Sequence, residues 1–122
     1  MKKILLDTSI LLLPGMELKD IFTPLEQEFE LLIPEACLKE LVAMSAGDSK
    51  KARAARLALV LIKQKNLKIL PSTHFERADD ELLRRAREIG AAIATVDKEL
   101  KRRARKRGIE IINIKKDKAK MG

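Results

Sequence analysis

Five short apolar runs, at residues 3–6, 31–33, 67–70, 91–96 and 109–114, constrain this 122-residue chain more than any other feature. Each is too brief for a stable helix and carries no polar alternation, so each reads as a strand buried on both faces. Helical stretches lie between them. Residues 18–29 have weak helical spacing through Leu18, Ile21, Phe22, Leu25 and Phe29, and 36–44 repeat it through Leu38, Leu41, Val42 and Met44. Ser49 is placed to cap a long helix over 50–65, Gly90 to stop one over 79–89, and Gly108 to stop one over 98–107. Pro14-Gly15 reads as a loop. Short strands alternating with helices predict a three-layer α/β/α sandwich around a central, mainly parallel five-stranded sheet joined by right-handed crossovers. One domain over 1–114 is expected, followed by a basic tail at 115–122.

Composition narrows the function. With 26 Lys plus Arg against 18 Asp plus Glu, the net charge is +8, which suits a polyanionic partner. No apolar run approaches the roughly 20 residues of a membrane span, and Asp7 interrupts the first run too early for a signal-peptide core, so the expected location is the cytoplasm. The single cysteine, Cys37, forms no internal disulfide and reads as a small core residue. One Cys and one His exclude the four-ligand zinc frameworks, so any metal must be held by oxygen. No phosphate-cradling glycine loop occurs. Few amides and dense Lys, Arg and Glu lean towards a thermophile.

In doubly wound sheets, ligands bind beyond the carboxyl ends of the strands, where strand order reverses. Asp7 ends the first strand and Asp97 ends the fourth, Asp79 opens the helix after the third, and Glu40 lies one turn into the helix after the second. Each alone has a plain explanation: Asp7, Asp79 and Asp97 as helix or turn caps, Glu40 as a solvated helix residue. Together they place four acids at one edge of a basic protein. Two unit charges 4 Å apart cost about 4 kcal/mol at an effective dielectric near 20, so such a cluster calls for a cation. Hard oxygen donors suit Mg²⁺ or Mn²⁺, and the chemistry that follows is metal-assisted phosphodiester hydrolysis without a histidine.

Asp7-Thr8-Ser9 after an apolar strand, Pro34 followed by Glu40-Leu41, Asp79-x-x-Leu82-Leu83-x-x-Ala86, and Thr95-x-Asp97 before a closing helix and strand resemble, in order and spacing, the motifs of PIN-domain ribonucleases. The resemblance runs over about residues 3–114. The segments 78–80 and 95–103 are especially similar to the branch related to ribosomal RNA processing nucleases, and VapC-type toxins share the broader pattern. What the resemblance implies is a Mg²⁺- or Mn²⁺-dependent endoribonuclease of PIN-like fold. Asp7, Glu40, Asp79 and Asp97 would be its acidic quartet, with Asp7, Asp79 and Asp97 on the metal and Ser9 as a hydroxyl near it. Thr95 would orient the Asp97 loop. Asp80 competes with Asp79 for the inward position, because one residue along a helix turns a side chain by roughly 100°. Glu99 is a further candidate outer ligand. The resemblance also implies pairing into homodimers, and an antitoxin or a ribosome-assembly partner according to branch.

Seven Lys or Arg lie within 98–107. Among them Lys98, Lys101, Arg102 and Arg105 are expected to contact RNA phosphates, with affinity falling as salt rises. Lys50, Lys51, Arg53 and Arg56, and separately Arg84, Arg85 and Arg87, form further groups equally well read as solvated helix surface. Phe22, Phe29 and Phe75, the only aromatics, sit in apolar contexts that predict core positions, leaving little for base stacking. His74 reads as a surface loop residue. The main rival is a noncatalytic PIN-like RNA-binding scaffold. A phosphoacceptor receiver domain fits less well, because Leu70 leads into Pro71-Ser72-Thr73 where a phosphoacceptor Asp would close the third strand.

Overall fold

The computed structural model describes residues 1–114; the basic tail expected at 115–122 lies outside them. Its elements are, in order, β1 (Lys2–Leu6), α1 (Thr8–Leu11), α2 (Leu13–Glu17), α3 (Phe22–Glu26), β2 (Phe29–Pro34), α4 (Glu35–Met44), α5 (Lys50–Gln64), β3 (Lys68–Leu70), α6 (Ala78–Ile89), β4 (Ala92–Ala94), α7 (Lys98–Lys106) and β5 (Ile111–Ile112). The five strands form one sheet in the order β3-β2-β1-β4-β5, and every neighbouring pair is parallel.

From β1 the chain steps outward to β2 and β3. It then returns through α6 to lay β4 on the other side of β1. The order therefore reverses between β1 and β4. Right-handed crossovers running in opposite directions put α1–α5 on one face and α6 with α7 on the other. Ile4, Leu5 and Leu6 of β1, and Ala92, Ile93 and Ala94 of β4, are completely buried, as two-sided coverage requires. Leu6 pairs with Ala94, and the Asp7 N–H continues the ladder to the Ala94 carbonyl at 3.1 Å. That pairing sets Asp7 beside Thr95.

Ser49 caps α5 by accepting the Ala52 N–H at 3.0 Å, and Gly90 closes α6 in the left-handed conformation with φ 68°. Cys37 is fully buried, and burial pushes its thiol pKa far up, with nearby Asp7 adding to the rise. His74 is exposed in the loop before α6.

Other expectations are corrected. Pro14-Gly15 lies inside α2, not in a loop: Pro14 occupies the first turn, where no N–H donor is needed. Gly15 lets α2 press on α5, since a Cβ there would sit 2.5 Å from the Ala54 Cα. The helix expected over 18–29 shrinks to α3. Leu18 breaks the chain with φ 50°, and the Asp20 carboxylate restarts it by accepting the Phe22 and Thr23 N–H groups at 2.9 and 3.2 Å. Phe29 instead opens β2 opposite Lys2. The last two strands are shorter than expected. Of the three Phe rings, Phe22 is buried and Phe29 half-buried, but Phe75 is fully exposed, contrary to its expected core position.

Candidate functional site

Asp7 begins the turn out of β1 with an extended backbone, and its side chain does not cap α1. Its carboxylate is almost wholly buried. Oδ2 accepts the Ser9 hydroxyl at 2.8 Å and the Thr95 hydroxyl at 2.7 Å. The two hydroxyl oxygens also lie 3.1 Å apart, but each owns one proton, and the Asp7 carboxylate takes both. Their lone pairs then serve the neighbouring loop: Ser9 Oγ accepts the Val96 N–H at 3.1 Å and Thr95 Oγ1 accepts the Asp97 N–H at 3.0 Å. The turn after β1 and the turn after β4 are thereby stitched together around one oxygen.

Asp97 does cap α7, as its plain explanation holds, through Oδ1 on the Leu100 N–H at 3.0 Å. The same side chain also lines the acidic cavity. Glu40 projects from α4, where Oε1 accepts the Thr8 hydroxyl at 2.6 Å. Asp79 lies in the first turn of α6, half-buried, with Arg77 as the N-cap residue. Burial raises the Asp79 pKa above its ordinary value. The carboxylates of Asp7, Asp97 and Glu40 raise it further, against a smaller opposing effect of Arg103.

Asp7, Ser9, Glu40, Asp79 and Asp97 all line one cavity of ≈ 470 Å³ at the strand-order reversal, with Thr8, Leu12, Leu13, Met16 and Met44 completing the wall. Asp80 points elsewhere: it binds Arg103 of α7 at 2.6 Å, and that hydrogen bond holds its carboxyl below the usual range. The choice between Asp79 and Asp80 is thus decided in geometry by α7. Glu99 does not reach the cavity; it pairs with Arg102, which lowers its pKa. A second cavity, ≈ 490 Å³ between α3 and the end of β5, is lined largely by apolar side chains such as Ile21, Leu25, Phe29 and Ile114 and holds none of the clustered acids.

Sequence reasoning missed four contributors. Thr8 orients Glu40, Glu17 adds a carboxylate to the rim, and Lys51 adds a cation. Glu81, almost fully buried, spans from α6 to the N-terminus of α4, where Oε2 accepts the Ala36 N–H at 3.3 Å. A run of three acids at the start of α6 was the visible signal for Glu81; Thr8 sat inside the Asp7-Thr8-Ser9 motif and Lys51 in a basic group without a role at the site, and nothing local marked Glu17. In the basic groups, Arg53 and Arg56 donate to carbonyls of the α4–α5 loop at 2.6–2.7 Å, so they are structural ties. Lys98 and Arg105 are exposed on α7, Lys101 is half-buried, and Arg102 shares its charge with Glu99.

Among the described residues, no three acid, His or Cys side chains form a ready-made metal cage. A shared cavity walled by mutually repelling oxygen donors fits a hydrated Mg²⁺ or Mn²⁺ instead, which needs only one or two direct carboxylates and keeps several waters or substrate oxygens.

The family model described as "PIN like domain" matches residues 4–117. A solved domain of a functionally unknown protein from Methanocaldococcus jannaschii superposes with a TM-score of 0.66 at 19% identity, covering 94% of this chain and 92% of that one. At that identity the likeness concerns the fold. No curated protein sequence matches. No helix among the described residues is long and apolar enough to cross a membrane.

Proposed function

We propose, from the premise that this chain belongs to the PIN-like domain family, that it is a Mg²⁺- or Mn²⁺-dependent endoribonuclease. PIN-like domains are generally nucleases and typically use divalent metals. The observation that carries the reading is the meeting of Asp7, Glu40, Asp79 and Asp97, from four separate segments, on one cavity at the strand-order reversal.

Asp7, Asp79 and Asp97 would hold the ion, which when bound supplies Lewis-acid polarisation of a phosphoryl oxygen and a water of lowered pKa. The chain's own residues do the rest. Ser9 and Thr95 hold Asp7 in place by donating both hydroxyl protons to Oδ2. Thr8 fixes Glu40 through Oε1, leaving Oε2 to orient an attacking water in the cavity. Lys98, Lys101 and Arg105 draw the phosphodiester backbone to the rim, and Arg102, partly neutralised by Glu99, contributes less. Ribosomal RNA is the finer substrate suggested by the sequence motifs. A toxin role would use the same chemistry under an antitoxin.

The test is cleavage of a labelled RNA with Mg²⁺ or Mn²⁺ against a chelator control. Asp7→Asn and Asp97→Asn are expected to abolish cleavage while leaving the metal-free fold at least as stable, because the amide keeps the hydrogen bonds and relieves repulsion. Unchanged cleavage in both variants rejects the quartet, and wild-type protein that binds RNA without cutting it establishes the scaffold reading instead.

A further inference from the structure

We propose that Lys51, in the first turn of α5, is a phosphate-binding residue of the cleavage site, holding the RNA backbone on the flank of the acidic cavity opposite to α7. The proposal rests on the ribonuclease reading and deepens it by giving the strand a path across the site. Among the described residues that line the cavity, Asp7, Glu17, Glu40, Asp79 and Asp97 are acids, and Lys51 is the single cation. A lysine set among carboxylates would ordinarily be their counter-ion. Here it is exposed, and no hydrogen bond or ion pair with another described residue engages it. Arg53 and Arg56 of the same helix are occupied by carbonyls of the α4–α5 loop. The Lys51 ammonium thus keeps its donors and its charge for an incoming anion.

Packing determines where it stands. Ala54, Ala55 and Ala58 form a buried stripe of α5, and Gly15 of α2 lies so close that a Cβ on it would sit 2.5 Å from the Ala54 Cα. Lys51 precedes Ala54 by three residues and Ala55 by four, so it continues that stripe one turn beyond the core. The same helix contact brings Met16 and Glu17, at the end of α2, to the cavity wall. The backbone that carries Lys51 is therefore held by helix packing, and its long side chain is free to follow a phosphate.

Topology supplies the path. α5 covers one face of the sheet and α7 the other, and the cavity lies at the reversal between β1 and β4. Lys98, next to Asp97, opens the basic helix on one flank, and Lys51 stands on the other. A backbone held by both must cross the carboxyl ends of β1 and β4, which lays a phosphodiester over the acids. Those acids repel it, and a cation on the far wall offsets part of that repulsion.

The experiment compares Lys51→Ala and Lys51→Arg in an Asp97→Asn background, where RNA is bound and not cut, and titrates each with labelled oligouridylate over a range of salt at constant Mn²⁺. Lys51→Ala is expected to bind about tenfold more weakly at low salt, and its plot of log affinity against log salt should be shallower by about 0.7, the loss of one phosphate contact on a single strand. Lys51→Arg should restore both. Mn²⁺ affinity without RNA should be equal or tighter in Lys51→Ala, because a positive charge has left the cavity, and the metal-free melting temperature should be unchanged. An unaltered slope and affinity overturn the proposal and leave the ribonuclease reading standing. A lower metal-free melting temperature with that unaltered slope assigns Lys51 as a counter-ion of the acids, which overturns it too. Wild-type protein that cuts no RNA in Mn²⁺ fells both.

Discussion

Replacing Thr95 by Val tests whether the hydroxyl stitch between the two turns is a real energetic element. Val keeps the shape of this completely buried side chain and removes its oxygen. Two things are lost at once: the hydrogen bond donated to the Asp7 carboxylate at 2.7 Å, and the acceptor for the Asp97 N–H at 3.0 Å. A hydrogen bond to a charged group contributes about 1.5–3 kcal/mol, and a stranded backbone N–H costs about 1–3 kcal/mol. The extra methyl returns about 0.8 kcal/mol. The net expectation is a loss of about 2–5 kcal/mol. With a urea m-value of about 1.5 kcal/mol/M, the unfolding midpoint of chelator-treated protein should fall by about 2 M with no change in slope. Thr95→Ser keeps both hydrogen bonds and should lose only about 1 kcal/mol for its missing methyl. If the Val and Ser variants unfold at the same midpoint, the stitch contributes nothing and the reasoning fails.

Two other outcomes follow from the acids. Mn²⁺ at a hundredfold excess over its dissociation constant should add about 2.7 kcal/mol to the stability of the native state and raise the melting temperature, and a flat response would remove the metal from the site. In metal-free protein, the raised pKa of Asp79 means that the native state binds its proton more tightly than the unfolded chain does. Stability should therefore be higher at pH values where Asp79 is protonated and fall as pH rises from 3.8 through the native pKa. Asp79→Asn should remove that component, and an identical pH dependence of the two proteins, measured by thermal melting in chelator, would refute the assignment.

The edge at which Asp7 and Asp97 meet was legible because it depends on strand order, and two-sided apolar runs announce a parallel sheet. The identity of the inward acid on α6 was not. Asp79 lines the cavity while Asp80 is taken by Arg103 on another helix, a partner no local pattern marks. Pro14-Gly15 misled because a proline in a first helical turn and a glycine at a close helix contact leave the same local signature as a loop. Phe29 and Phe75 misled in opposite ways. Helical spacing is silent about α3 stopping at Glu26 so that Phe29 pairs in the sheet, and apolarity is silent about whether anything lies opposite the ring. The bond from Thr8 to Glu40 spans 32 positions and had no local trace.

The divided carboxylate of Asp97 constrains how this protein can be interrogated. One oxygen seats the first turn of the basic helix, and the same side chain lines the chamber where reaction is expected. An alanine scan at that position would unseat Lys98 through Lys106 and remove the acid in the same stroke, so a dead variant would report two causes at once. Only the amide, which still anchors the turn, separates them.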